Sequence, residues 1–228
     1  MAEDKKLNSK YARASLFDTL GRRILRHVPS RLFRISRGVI FRKDITIKES
    51  AKTPGLSGNL EMRLPADDER EACRELSGLP LAEFDRRLEA GNHCLIVFQD
   101  NRPLNINWIH YGPAYIRGFS YLHKARDNEA YVYGIRTAPS QRGKGIYKRA
   151  LVDMEKFIID QKKKAIIQLV ESGNIPVFKT LPKLGYYEES ELYHLTICGI
   201  KFTRQKYLSN KRCHIKISIR QPENVFII

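Results

Sequence analysis

The sequence predicts a mixed α/β fold, and three observations carry that prediction. Runs at 60–64, 93–99 and 104–111 have the apolar patterning of strands, and Asp100-Asn101 is a turn that joins the last two as a hairpin. A strand at 129–137 passes through a glycine-containing turn straight into an amphipathic helix. A buried-type strand at 165–170 then closes a strand–turn–helix–strand unit, so the sheet mixes hairpin and crossover connections.

Taken in order, residues 11–28 form an amphipathic helix. Leu16, Phe17, Leu20, Ile24, Leu25 and Val28 share one side, Arg13, Arg22, Arg23 and Arg26 lie elsewhere, and Pro29 ends it. Residues 31–45 stay basic and apolar, and their pattern leaves helix and strand open. Ser50 to Asn59 has the composition of a linker. Residues 66–76 and Leu81–Leu88 read as two short helices separated by Gly78 and Pro80. Residues 112–128 read as an irregular excursion carrying Tyr115, Arg117, Phe119, Tyr121, His123, Lys124 and Arg126. The helix after the turn places Ile146, Tyr147, Ala150, Leu151, Met154, Phe157 and Ile158 on one face. Asn174–Leu184 is a short helix interrupted by Pro182 and stopped by Gly185, and Tyr186–Phe202 and Cys213–Ile219 are further strands. This gives a basic N-terminal extension and linker at 1–58, a central domain at 59–202, and a basic segment at 203–228 that adds a strand to that domain.

Composition bounds the function. With 228 residues and 42% hydrophobic content, the chain can bury a core without disulfides. Its four cysteines (Cys73, Cys94, Cys198, Cys213) include no Cys-x-x-Cys pair, which fits a reducing compartment and points to no metal. No apolar run reaches the length of a membrane span, and the polar N-terminus lacks a signal core, so a cytoplasmic location is expected. The net charge of +16 is carried by the flanks. Residues 1–48 hold 13 Lys/Arg against 4 Asp/Glu and residues 199–228 hold 7 against 1, while 49–198 hold 21 against 20. Such flanks attract anionic lipid, nucleic acid or an anionic substrate.

The most informative stretch is the turn Arg142-Gly143-Lys144-Gly145 at the start of the helix. Glycines let the backbone approach a bound group, and the first amides of a helix have no internal partner. Those amides, the helix dipole and Lys144 suit a phosphate-bearing ligand. Gly145 is followed by Ile146 and Tyr147, which excludes the Gly-Lys-Ser/Thr nucleotide loop, and Lys148 stands where a dinucleotide fingerprint needs its third glycine.

With these residues in place, the chain over roughly 60–202 resembles the GNAT N-acyltransferase superfamily. The family's Arg/Gln-x-x-Gly-x-Gly/Ala loop matches at Arg142 and Gly145 and departs at Tyr147. About thirty residues on, Asn174 opens a short helix that Gly185-Tyr186 closes. The Gly91–Val97 strand and the Asp100-Asn101 turn also look like the family's second and third strands. The resemblance implies a splayed, largely antiparallel mixed sheet flanked by helices, and acyl transfer from acetyl-CoA or another acyl-CoA to an amine in a ternary complex. It assigns the pyrophosphate to the amides of Gly143, Lys144, Gly145, Ile146 and Tyr147, with charge from Arg142 and Lys144. Tyr147 is tolerable there if its side chain turns into the core. Ile135, Arg136 and Thr137 would meet the thioester and pantetheine, the Ile135 amide acting as an oxyanion donor from a strand bulge, and Asn174 would contact the pantetheine.

The chemistry residues depart further from the family. Its general-base Glu falls at Tyr131 and its acid Tyr at Leu181, so Glu129 through water, Tyr131 or His110 are the candidate bases, and Tyr187 or solvent the substitute acid. Trp108, Tyr115 and Tyr121 mark the acceptor side. The acceptor is read as a small-molecule or cell-envelope-precursor amine, such as an amino sugar, with residues 1–48 resting on an anionic membrane surface. Three alternatives stand beside this. The N-terminal helix docks on the domain, the chain acetylates proteins or ribosomes, or the scaffold binds nucleic acid through its flanks without catalysis.

Overall fold

The computed structural model describes residues 29, 32–46, 55–56, 58–209, 212–218 and 225–228. The expected helix at 11–28 and most of the 50–59 linker lie outside the described residues. The chain sorts into two compact units: one of residues 43–112 and 124–168, the other of residues 1–42, 113–123 and 169–228.

The first unit holds the sheet order β8-β7-β4-β3-β2. Strands β2 (Leu60–Arg63), β3 (His93–Gln99), β4 (Arg102–His110) and β7 (Glu129–Thr137) pair antiparallel in turn, and β8 (Ala165–Glu171) runs parallel to β7. Helices α1 (Arg70–Ser77), α2 (Leu81–Glu89) and α3 (Ile146–Asp160) flank this sheet. Neighbouring strand residues face opposite sides, so two ring contacts sort the layers. Phe84 of α2 packs edge-on against Trp108, which pairs with Cys94, whereas Phe157 of α3 packs against the adjacent His93. Helix α2 therefore covers the Trp108 face and α3 the His93 face. Helix α3 also carries a buried carboxylate, Glu155, which Lys43 meets at 2.7 Å.

In the second unit, β1 (Phe33–Asp44, through Arg42) pairs antiparallel with β9 (Tyr187–Ile197), β9 with β10 (Ile200–Tyr207), and β10 with β11 (Cys213–Ser218). A second sheet joins β5 (Ala114–Ile116), β6 (Tyr121–His123) and β12 (Phe226–Ile227), and α4 spans Ile175–Thr180. Three expectations are sharpened here. Within 31–45, Phe33–Asp44 is a strand, whose consecutive buried Val39, Ile40 and Phe41 hide any alternation. The excursion at 112–128 is partly regular: β5 and β6 flank a 3₁₀ turn at Arg117–Phe119, and β5 takes β12 as a parallel partner from the far end of the chain. The boundary expected at 202/203 falls inside β10, because Cys198 and Gly199, at φ +48° and +83°, turn the chain into a β9–β10 hairpin.

No helix among the described residues is long and apolar enough to cross a membrane. Removing one partner of a buried ion pair strands the other charge, so Lys43→Met is expected to lower the unfolding free energy by about 3 kcal/mol. The double variant Lys43→Met/Glu155→Leu is expected to recover part of that loss. Denaturant midpoints at constant slope check both.

Candidate active site

Strand β7 holds the centre of the site. It pairs with β8 only from Glu129↔Ala165 to Tyr131↔Ile167 and then parts from it, while staying with β4 as far as Asn105↔Thr137. Between Ile106↔Arg136 and Trp108↔Tyr133 the register slips, so Gly134 and Ile135 together oppose Asn107. This is a bulge with its glycine at φ +57°. A Cβ on Gly134 would stand 3.0 Å from Cδ1 of Trp108, so both conformation and space exclude a side chain there. Beneath the bulge, Asn107 donates to Leu95 O and to Asn105 Oδ1, and Asn105 donates to Thr137 Oγ1 at 2.9 Å. That buried amide ladder fixes the strand end against β4.

The turn after β7 ends in Gly145, the N-cap of α3, with no side-chain cap. Backbone N–H groups of Gly143, Lys144, Gly145, Ile146 and Tyr147 donate to no acceptor among the described residues. Gly143 and Gly145 sit at φ +78° and +77°, with nothing within 4 Å of a Cβ placed on either. Residues 142–145 are exposed. Arg142 Nε reaches Thr137 O, and Lys144 Nζ reaches Gln141 Oε1. The first helical turn contains no acid and adds Lys148 and Arg149, both exposed, so four cations gather at a helix N-terminus where the dipole disfavours positive charge. An anion resolves that conflict. Tyr147 turns inward: its hydroxyl is buried, and burial pushes its pKa up. Bare amides, open space above two glycines and a parted strand edge together suit a phosphate-bearing ligand.

Glu129, Tyr131 and Tyr133 alternate along β7 on the face shared with Trp108 and His110 of β4, where His110 pairs with Tyr131. The structure thus brings Glu129, Tyr131, His110 and Trp108 to one side of the sheet. Glu129 is buried, and its carboxylate accepts from the Arg126 amide at 3.0 Å and pairs with the Arg126 side chain at 3.7 Å, closing the 126–129 turn. Tyr131 stacks on Tyr133. His110 Nδ1 lies 3.1 Å from Asn92 Oδ1, which also accepts from Tyr133 OH at 3.0 Å. Asn92 Nδ2 donates to Arg87 O, so its Oδ1 is an acceptor and His110 Nδ1 must donate. A neutral His110 therefore keeps its lone pair on Nε2.

Other expected site residues have surroundings of their own. The Arg136 side chain donates to Ser77 O at the C-terminal end of α1. Trp108 is 0% exposed and belongs to the core, held by Phe84 and Tyr133. Tyr115, 1% exposed, offers no ring face for stacking because it packs inside the second unit, where Tyr121 tilts against His123. Asn174 lies in that unit too. It is exposed, and its side chain makes no cap bond to α4, although its carbonyl accepts from Val177 and Phe178. Leu181 is fully buried. The described residues contain no cluster of His, Cys, Asp and Glu able to hold a metal ion. Lys148, Arg149, Arg87 and Asn92 were not anticipated. The first two were visible as cations in an acid-free first turn, the others only through tertiary contacts.

No known family matches the sequence, and no curated protein does. Solved structures do match. A GNAT-family protein from Novosphingobium aromaticivorans aligns at TM-score 0.51 and 13% identity, over 70% of this chain and 63% of its own. An acetyltransferase of the GNAT family from Colwellia psychrerythraea aligns at 0.52 and 15%, over 71% and 55%. The glucosamine N-acetyltransferase region of a fungal multi-domain β-N-acetylglucosaminidase aligns at 0.51 and 11%, over 77% and 22%. The chain thus spans less than two thirds of each. On these alignments this chain has the GNAT fold.

On α2, Glu83 binds Arg86 through two contacts and Arg87 through one, all 2.8–2.9 Å. Arg86 first, then Arg87, hold its carboxyl down from 4.5 to about 2. A depressed carboxyl stabilises the fold fully above its unfolded value and loses that contribution as pH falls through the folded one. The stability gap between the protein and Glu83→Gln is therefore expected to be constant above pH 5 and to shrink between pH 4.5 and 2. Chemical denaturation across that range checks it; Glu69, held down to about 2 by Arg63, titrates in both proteins and cancels.

Proposed function

We propose that the protein is an acyl-CoA-dependent N-acyltransferase, using acetyl-CoA or a close relative, that acylates the amine of a small molecule by direct transfer in a ternary complex. The observation that carries this reading is the row of unbonded amides from Gly143 to Tyr147 at the end of a strand that has left its neighbour. Acetyl-CoA would supply the activated acyl group. The chain's own part is to grip an anion, orient a carbonyl and take a proton.

Backbone N–H groups of residues 143–147, with Arg142, Lys144, Lys148 and Arg149 around them, form the diphosphate grip. The open edge of β7 over 135–137 offers backbone groups to an extended amide-bearing arm, as a sheet edge takes up a strand. The Ile135 amide, displaced by the bulge, is the donor for a polarised carbonyl oxygen. His110 is favoured as the base, since it is an imidazole on the Trp108 face of the sheet whose Nδ1 tautomer and ring orientation Asn92 fixes. Glu129 is already committed to its turn, and burial and stacking make Tyr131 a poor base. The likeness to a glucosamine N-acetyltransferase region lends the amino-sugar class of acceptor some support. An anionic membrane surface remains the partner proposed for the basic residues 1–48.

Acetyl-CoA is expected to raise the melting temperature, and a Gly143→Val/Gly145→Val double variant to abolish the shift. Both side chains would enter open space, so the variant's own melting temperature should fall only by the penalty of left-handed backbone, about 1–2 kcal/mol per residue. His110→Gln should retain the acetyl-CoA shift and lower CoA release at least about 100-fold. Absence of any shift in the unaltered protein across acyl-CoA chain lengths refutes the proposal.

A further inference from the structure

Arg87 is buried to 8% exposure beside the bulge, and its charge is incompletely met. Its Nε donates to Glu83 Oε1, but that carboxylate is already held at both oxygens by Arg86. Arg87 Nη1 and Nη2 donate to no acceptor among the described residues, and neither nitrogen is sealed from solvent. The guanidinium lies over the rings of Trp108 and Tyr133, with its carbon 5.4 and 5.1 Å from the two centroids. Stacked rings on one side and Glu83 at Nε leave the two Nη groups as a fork with a fixed aim.

That aim is the bulge. Nη1 stands 3.4 Å from the point where a Gly134 side chain would begin, and Gly134 itself is exposed in mid-strand, next to buried Tyr133. The same point lies 3.0 Å from Trp108 Cδ1. Cδ1 is bonded to Nε1, whose buried N–H also has no acceptor. The Arg87 fork is thus a donor short of acceptors beside the exposed Gly134, with the sealed Trp108 N–H behind it, and there a buried cation would otherwise have to be hydrated. The complementary group is small, planar, anionic and doubly accepting.

We infer that Arg87 forms a carboxylate-recognition subsite beside Gly134, and that the acyl acceptor is an amine carrying a carboxylate near its amino group. The subsite stands on the residues just named; its assignment to the acceptor rests on the transferase reading. Asn92 links the parts: it accepts from His110 and Tyr133 and donates to the Arg87 carbonyl, so the carboxylate fork and the proposed base share one anchor. An amino acid or an amino-sugar acid has the required pair of groups, and a simple alkylamine does not.

The test is calorimetric titration of the full chain with free amino acids and with their matched amides, each with and without CoA. One or more acids is expected to bind, with the corresponding amide at least about tenfold weaker, the worth of a charge-assisted hydrogen bond. Arg87→Met should erase the acid preference, and Arg87→Lys should restore part of it by keeping the charge without the fork. Both variants should keep their stabilisation by CoA, which separates lost recognition from lost folding. Equal binding of acids and amides by the unaltered protein, or an unchanged acid preference in Arg87→Met, overturns the inference. An Arg87-dependent preference for succinyl-CoA over acetyl-CoA, with acids and amides equal, would put the carboxylate on the acyl chain and overturn the assignment to the acceptor. Failure of CoA to bind the unaltered protein sinks the transferase reading instead, and leaves the acid–amide comparison made without CoA standing.

Discussion

Strand β7 has to satisfy two neighbours that pull its ends apart. It is parallel to β8 for three residues and antiparallel to β4 for nearly its whole length, and beyond the point where it leaves the first it sets an extra residue against the second. Gly134 is the residue that permits this. Its positive φ and the indole pressed against it admit no side chain, and the bulge it makes turns the following amide out of the ladder. Beyond that insertion the strand runs on, paired with β4 alone, toward the Gly143–Gly145 turn. The buried amide of Asn105, itself accepting from Asn107, keeps the arrangement from relaxing, since straightening the strand would break its bonds to Arg136 O and Thr137 Oγ1.

A second constraint is electrostatic, and it acts at the start of α3. Most helices open with a capping side chain or an acid; this one opens with neither, and with Lys148 and Arg149 in its first turn. The inward-turned Tyr147 and the buried Ile146 and Ala150 supply the packing that holds such a helix end in place. At Ile146 and Tyr147 the unbonded amide and the packing side chain therefore belong to the same residue, the one turned outward and the other inward.

The sheet face around Trp108 and the turn into α3 were unequally legible from sequence. The turn could be read because everything it needs is local: glycines, a basic pair and a helix period that begins at Ile146. The hairpin of β3 and β4 was equally plain from Asp100-Asn101, both of which adopt positive φ. Strand β1 was not, since a segment buried at Val39, Ile40 and Phe41 in succession shows no period of two. Strands β5 and β6 have three residues each, too few for any period, and β5 finds its parallel partner in β12 at 226–227. Among site residues, Tyr115 was misjudged because an aromatic in an excursion looks the same whether it faces solvent or packs inward. Arg87 and Asn92 were passed over because their meaning lies in Gly134, Trp108 and His110, which only the fold brings to them. Two asparagines alternating through an apolar strand, Asn105 and Asn107, were a signal present but unused. Polar groups at buried positions need partners, and these two find each other.

The uncapped opening of α3 has a practical corollary. A helix end ringed by lysine and arginine, with no carboxylate of its own to quiet it, draws anions by charge before shape can discriminate among them. Citrate, inorganic phosphate or sulfate in a buffer would occupy the same amides, and stray oligonucleotide could follow the protein through purification. Apparent affinities measured in such media would report competition as much as recognition, and a chloride or acetate medium of modest ionic strength is the setting in which the turn shows its own preference.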